Sequence, residues 1–355
     1  MTDLLALTAE LVDIPSVSHD EAAITDHLEA ELANVPWLTV ERHANNLVAR
    51  TNLGRDQRLI LAGHTDTVPV NNNAGARIDG DTLWGLGSSD MKAGVAVALE
   101  LARTVSEPVV DVTYVFYECE EIAAEFNGLL KLFRDRPDLL AGDAAILGEP
   151  TNARVEAGCQ GTFRAAVTLT GERAHTARPW MGRNAIHRLA VVLDRLAAYE
   201  ARRPVLNGCE FREALQAVGV EGGVAGNVVP DRATVTVNHR FAPDRTAEEA
   251  FAHVREVLGE SVDESAGDTF ELLDQALAAP PSLDHPLLGA LVAHTGEPPL
   301  AKLGWTDVSF FAANGIPAVN FGPGEATLAH TRDERVERSQ LVATHATLLA
   351  LLTQT

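Results

Sequence analysis

Five short segments carry side chains able to hold metals or move protons. His64-Thr65-Asp66 closes the apolar run 58–61 and its continuation Ala62-Gly63. A histidine there can ligate through one ring nitrogen while an aspartate two residues on holds the other. A plain loop histidine capped by an aspartate has the same local pattern. Gly85-Leu86-Gly87-Ser88-Ser89-Asp90-Met91-Lys92 leads into a helical run. Its glycines permit close backbone approach, and Asp90 is either a ligand or that helix's N-cap. Tyr117-Glu118-Cys119-Glu120-Glu121 crowds three glutamates at the end of an apolar strand pattern. Like charges that close are costly unless a cation or proton compensates. Gly148-Glu149-Pro150-Thr151 follows another short apolar run, and Phe321-Gly322-Pro323-Gly324 is followed shortly by His330. Taken singly, a solvated acidic loop or a structural histidine explains each. Taken together, each follows a predicted strand or lies in a loop just after one, where ligands of open α/β sheets gather. Two histidines among carboxylates suit zinc, cobalt or manganese.

These groups need a scaffold. Residues 4–13, 20–33, 91–104 and 339–352 have helical apolar spacing. Residues 58–61, 109–117, 144–147 and 316–321 read as buried strands. Such alternation predicts an α/β fold, a central mixed sheet flanked by helices. The middle differs: 163–170 and 233–241 alternate apolar and polar residues, as half-buried antiparallel strands do, with helices over 184–199 and 246–258. Ala279-Pro280-Pro281 marks the return crossing. The expected organisation is a catalytic domain (1–161 and 275–355) interrupted by a smaller α+β domain (162–274).

A chain of 355 residues with 46% apolar content has room for about two such domains. Its net charge of −22, from 28 basic and 50 acidic residues, excludes the basic footprint of nucleic-acid binding. Three widely spaced cysteines, Cys119, Cys159 and Cys209, form neither a disulfide framework nor a zinc knuckle and fit a reducing compartment. The N-terminal residues carry no secretory signature, and no long uncharged apolar stretch occurs. A soluble, cytoplasmic protein without a membrane partner is expected.

The order of motifs, from His64-Thr65-Asp66 through Gly87-Ser88-Ser89-Asp90-Met91-Lys92, Glu120-Glu121 and Gly148-Glu149-Pro150-Thr151 to His330, resembles the di-zinc aminoacylase and desuccinylase family of metallopeptidases. The resemblance spans nearly the whole chain. It implies hydrolysis of an amide in a small-molecule N-acyl amino acid. His64, Asp90 and Glu149 would hold one zinc, and Asp90, Glu121 and His330 the other, where cobalt or manganese is also compatible. Asp66 would orient His64, and Glu120 would be the general base and acid. The family's smaller domain mediates dimerisation and lends a histidine to the partner's site, which matches His175 in Gly171-Glu172-Arg173-Ala174-His175. Asn227, Arg240, Thr162 and Gly324 match substrate-contact positions. Cys159-Gln160-Gly161-Thr162, His175-Thr176-Ala177-Arg178-Pro179 and Gly304-Trp305-Thr306-Asp307-Val308 resemble the desuccinylase branch. One residue departs from it: Cys159 stands where that branch places an arginine associated with the succinyl carboxylate. Arg178 is the candidate replacement, since a guanidinium grips a carboxylate through paired hydrogen bonds.

Overall fold

The strand Arg58–His64, buried from Leu59 onward, lies inside an eight-stranded sheet. The computed structural model describes residues 2–354. Asp111–Tyr117, Arg58–His64, Ala144–Leu147 and Ala318–Asn320 run side by side and parallel. Asn46–Arg50 and Thr39–His43 add antiparallel strands at one side, and Glu156–Ala157 joins antiparallel at the other. The sheet is therefore mixed, as expected. Successive side chains of a strand face opposite ways. Leu59 and Leu61 enter a core with the helices Leu4–Val12, Lys92–Thr104 and Arg338–Thr353. Ile60 and Ala62 enter a second core with Leu129, Leu132, Val308 and Phe311.

The helix Lys92–Thr104 is buried on almost every side, which its Ala- and Val-rich sequence allows. Gly94 brings it onto the strand end beside Glu149. A Cβ there would lie 2.1 Å from the Gly148 carbonyl oxygen.

A separate antiparallel sheet has the order Ala214–Gly222, Arg232–Phe241, Gly161–Thr170, Thr269–Ala276. Ala185–Ala197 and Ala247–Leu258 pack on it around a core of their own. Along Arg232–Phe241, Ala233, Val235, Val237, His239 and Phe241 are buried, while Thr234, Thr236, Asn238 and Arg240 are half-buried. The two helices start one residue later than the apolar spacing predicts. Asn184 and Thr246 are extended caps whose side chains accept the N–H groups of His187 and Glu249. The outer strands Ala214–Gly222 and Thr269–Ala276 were not anticipated. Both are largely exposed, so no alternating burial shapes their sequences. The strand Thr269–Ala276 also carries this sheet two residues past 274.

His239 faces the helices. It is fully buried, its ring stacks on Phe163 at 5.4 Å, and neither ring nitrogen has a hydrogen-bond partner. Burial lowers its pKa to about 4; His253 and Arg245 push the same way, and Glu213 opposes them. A histidine that is harder to protonate folded than unfolded makes the unfolded state bind more protons. Stability is therefore lost as pH falls from the unfolded value of 6.5 toward 4. The full shift corresponds to about 3 kcal/mol. His239→Phe is expected to lose that much less stability than the unsubstituted protein between pH 7 and pH 4 in urea unfolding. Parallel pH profiles would refute the assignment.

Candidate metal centre and active site

The parallel strands point their C-terminal ends at one place. His64 ends the first, is 1% exposed, and sets Nε2 3.1 Å from Asp90 Oδ1. Its Nδ1 lies 3.1 Å from the Asp66 carbonyl oxygen and 3.4 Å from Asp66 Oδ1. Asp66 thus holds the second ring nitrogen chiefly through its main chain. Its carboxylate has a further role: Oδ1 accepts the Glu120 N–H at 2.9 Å, and Oδ2 accepts the Glu121 N–H at 3.1 Å and the Ser18 hydroxyl at 2.7 Å. Cys119, in the left-handed region at φ 59°, gives its N–H to Glu21 Oε1 at 3.1 Å. Two buried carboxylates therefore fix three successive amides of the loop that carries Glu120 and Glu121.

Donor atoms of His64, Asp90 and Glu149 lie within 4.8 Å of one another, and so do those of Asp90, Glu121 and His330. Asp90 belongs to both sets. It is not the helix cap; Met91 occupies that position and makes no side-chain cap bond. His330 Nε2 is 3.0 Å from the Glu121 carboxylate and 3.6 Å from Asp90 Oδ2. Glu120 groups with His64 and Glu121.

The electrostatics are those of anions pressed together. Burial, reinforced by the charge of Asp307, pushes Glu120 well above the carboxylate range. Burial and Asp90 raise Glu149 to about 8. Burial would raise Asp90 too, but hydrogen bonds with His330 and His64 outweigh it and hold that carboxyl low. Burial alone would lower His64, and Asp66 and Asp90 more than reverse this. Bonds with Asp90 and Glu121 lift His330 to about 10. Glu149 Oε1 is buried with no hydrogen-bond partner. An orphaned carboxylate oxygen among imidazole and carboxylate donors fits a divalent cation.

The remaining candidates belong to neither donor set. His175 is exposed in the smaller unit, its Nδ1 accepting the Ala177 N–H. Arg178 and Asn227 are exposed, and the Asn227 carbonyl accepts from Thr176. Thr162 Oγ1 accepts from Asn238. Arg240 is half-buried; desolvation lowers its pKa, and no carboxylate among the described residues pairs with it. Cys159 is fully buried, its thiol directed at the Thr306 carbonyl and its backbone paired with Ala279 across the two chain crossings. Gly324 has a packing reason: at φ 83°, a Cβ would lie 2.4 Å from Ser89 Oγ on the loop that carries Asp90.

Reading the sequence missed Asp307 and Glu334. Asp307 is buried, accepts from Asn127 at 2.8 Å, and is raised to about 6 by burial. Its one signal was its place in Gly304-Trp305-Thr306-Asp307-Val308. Glu334 lies four residues after His330, in a run of charged residues that looks like ordinary surface.

A mixed sheet with a smaller sheet inserted in its chain, and donor sets sharing one aspartate at the strand ends, defines the class as metal-dependent hydrolases of the peptidase type. Residues 60–354 match Peptidase family M20/M25/M40, and the chain belongs to that family. A Mycobacterium tuberculosis protein, provisionally named a succinyl-diaminopimelate desuccinylase, is 53% identical over 96% of this chain and 95% of its own. The succinyl-diaminopimelate desuccinylase of Corynebacterium glutamicum is 44% identical over 99% and 96%. Among solved structures, a Staphylococcus aureus tripeptidase shares the fold at TM-score 0.77, 21% identity, and 99% and 97% coverage. A Bacillus subtilis protein described as a dinuclear metal binding peptidase does so at TM-score 0.67, 16% identity, and 98% and 96% coverage. No helix among the described residues is long and apolar enough to cross a membrane.

Proposed function

We propose that this chain removes the succinyl group from N-succinyl-LL-2,6-diaminopimelate, giving succinate and LL-diaminopimelate. The observation that carries the reading is the pair of donor sets sharing Asp90 with Glu120 beside them; the names of the two relatives supply the acyl group. His64, Asp90 and Glu149 would hold one Zn²⁺, and Asp90, Glu121 and His330 would hold a second ion, Zn²⁺, Co²⁺ or Mn²⁺. Bound there, the ions supply Lewis acidity toward the amide carbonyl and acidify the attacking water. Glu120 takes a proton from that water as its oxygen bonds to the carbonyl carbon. It returns the proton to the nitrogen as the C–N bond breaks. Asp66 keeps Glu120 and Glu121 facing the cleft by holding their amides. Asn227 and Thr162 line the substrate's path, with Gly324 shaping the loop wall beside it.

We further propose residues 1–161 and 275–355 as the catalytic domain and 162–274 as an inserted domain that forms a homodimer. The outer strand Ala214–Gly222 exposes Val218 and Val220, and the adjacent helix exposes Ile186 and Val191, which supports a self-pairing edge. Across such a dimer His175 donates to the developing oxyanion. A cytoplasmic location fits the three free cysteines.

Arg240 and Arg178 are the candidate grips for the succinyl carboxylate. Arg240 is the better placed, because a half-buried guanidinium without a carboxylate partner favours an incoming one. Arg240→Ala is expected to raise KM for the succinyl substrate by roughly 10–100-fold, the worth of one charge-assisted contact. An unchanged KM would remove it, and Arg178→Ala is the parallel test. The reading as a whole is tested by amine release from N-succinyl-LL-diaminopimelate with zinc-loaded protein and a chelated control. Chelator-sensitive release is expected. Release from N-acetyl amino acids or dipeptides instead would move the substrate while keeping the hydrolase.

A further inference from the structure

Two loops carry Asp90 and His330, donors that no strand holds directly; Glu121 sits on a third. The first set includes His64, at a strand's last residue, and Glu149, two residues past another strand. The parallel ladder includes His64 and reaches Leu147, two residues before Glu149. The second set depends on Asp90, from the loop before the helix Lys92–Thr104, and on His330, which follows a short 3₁₀ turn, has φ 62° and leaves 52% of its side chain exposed.

Glu334 joins those loops. It is 1% exposed, and its Oε1 accepts the backbone N–H groups of Ser89 and Asp90, each at 3.0 Å. Its own carbonyl accepts the N–H of Gly85 at 3.2 Å, and its N–H donates to the Thr331 carbonyl at 3.3 Å. One residue thus ties the Asp90 loop, by side chain and main chain, to the segment that begins at His330. A second tie runs parallel: Ser89 Oγ accepts the Glu325 N–H at 2.9 Å and lies 3.2 Å from the Glu325 carbonyl. Bonds from amides to a carboxylate are about twice as strong as neutral ones. Losing this one leaves two amides to find other partners.

We infer that Glu334 is a positioning residue that sets the separation of Asp90 and His330 and thereby governs ion occupancy of the Asp90–Glu121–His330 set more than of the His64–Asp90–Glu149 set. The inference rests on the ion assignment proposed above. Glu334 belongs to neither donor set; it acts through the backbone of a ligand.

The test is equilibrium Zn²⁺ binding by chelator-stripped full-length protein, in competition with a chromophoric chelator. Glu334→Gln keeps the side-chain volume and loses the charge. It is expected to bind the first Zn²⁺ within threefold of the unsubstituted protein and the second about 10–100-fold more weakly, as losses of ligand-orienting partners do. Glu334→Asp keeps the charge, shortens the arm, and is expected to weaken the second site as well. Glu337→Gln is the control, three residues further along. Glu337 accepts the Thr82 hydroxyl at 2.8 Å and caps the last helix, so this change is expected to lower Tm and leave both zinc constants within threefold. Two full-strength sites in Glu334→Gln or Glu334→Asp overturn the inference, whatever their Tm. Hydrogen exchange on the unsubstituted protein needs no variant: the Ser89 and Asp90 amides are expected to stay protected with one Zn²⁺ bound, and free exchange there overturns it equally. If the unsubstituted protein bound no zinc, the ion assignment itself would fall instead.

Discussion

Glu120→Gln is expected to lower turnover by about 10²–10⁴-fold, the usual worth of a positioned general base, with two metal ions still bound. The glutamine keeps the backbone and volume, so the Asp66 bond to the residue-120 amide persists. What it removes is the proton acceptor. The native carboxyl suits the role, because burial, reinforced by the charge of Asp307, raises its proton affinity above that of an ordinary carboxylate. Measuring kcat and metal content on the same preparation separates the possible roles. A variant that loses zinc along with activity would make Glu120 a ligand, which its proximity to His64 and Glu121 allows geometrically. The division between Glu120 and Glu121 would then have to be redrawn.

Asp90→Ala should have the other large effect. Asp90 is the one residue common to both donor sets, and its carboxylate stands between His64 and His330. Its removal is expected to take metal content from two ions toward none and turnover down by at least about 10³-fold, since Lewis acidity and oriented water are lost together. His330→Ala, by contrast, should cost one ion. Elemental analysis after dialysis discriminates the two: two ions retained in Asp90→Ala would end the shared-ligand assignment.

The sequence went furthest where chemistry and secondary structure coincide. The strand Ala144–Leu147 and the helices Leu4–Val12 and Lys92–Thr104 are legible because buried neighbours make each a largely apolar run of strand or helix length. The edge strands Thr39–His43, Ala214–Gly222 and Thr269–Ala276 escaped it. They are held by backbone ladders on one side and face solvent, so little in their side chains marks them. The five candidate ligands were legible for a related reason. His64 ends a buried strand and Glu149 and Glu121 follow soon after two others, while Asp90 and His330 stand in glycine-bearing loops, contexts visible without coordinates.

What the residues alone supply, then, is a set of candidate donors, their order along the chain, and the kind of sheet that would collect them. Tertiary structure decided how they are held. Asp66 looked like a partner for His64; its carbonyl and carboxylate do lie against that ring, and the carboxylate also grips the amides of Glu120 and Glu121. Gly324 looked like a substrate contact, and its lack of a side chain makes room for Ser89. Glu334 looked like surface and is buried against the Asp90 loop, 244 residues away along the chain. Bonds of that span leave no local period and no spacing rule, since their partners become neighbours only once the parallel strands have brought distant loops to one edge of the sheet.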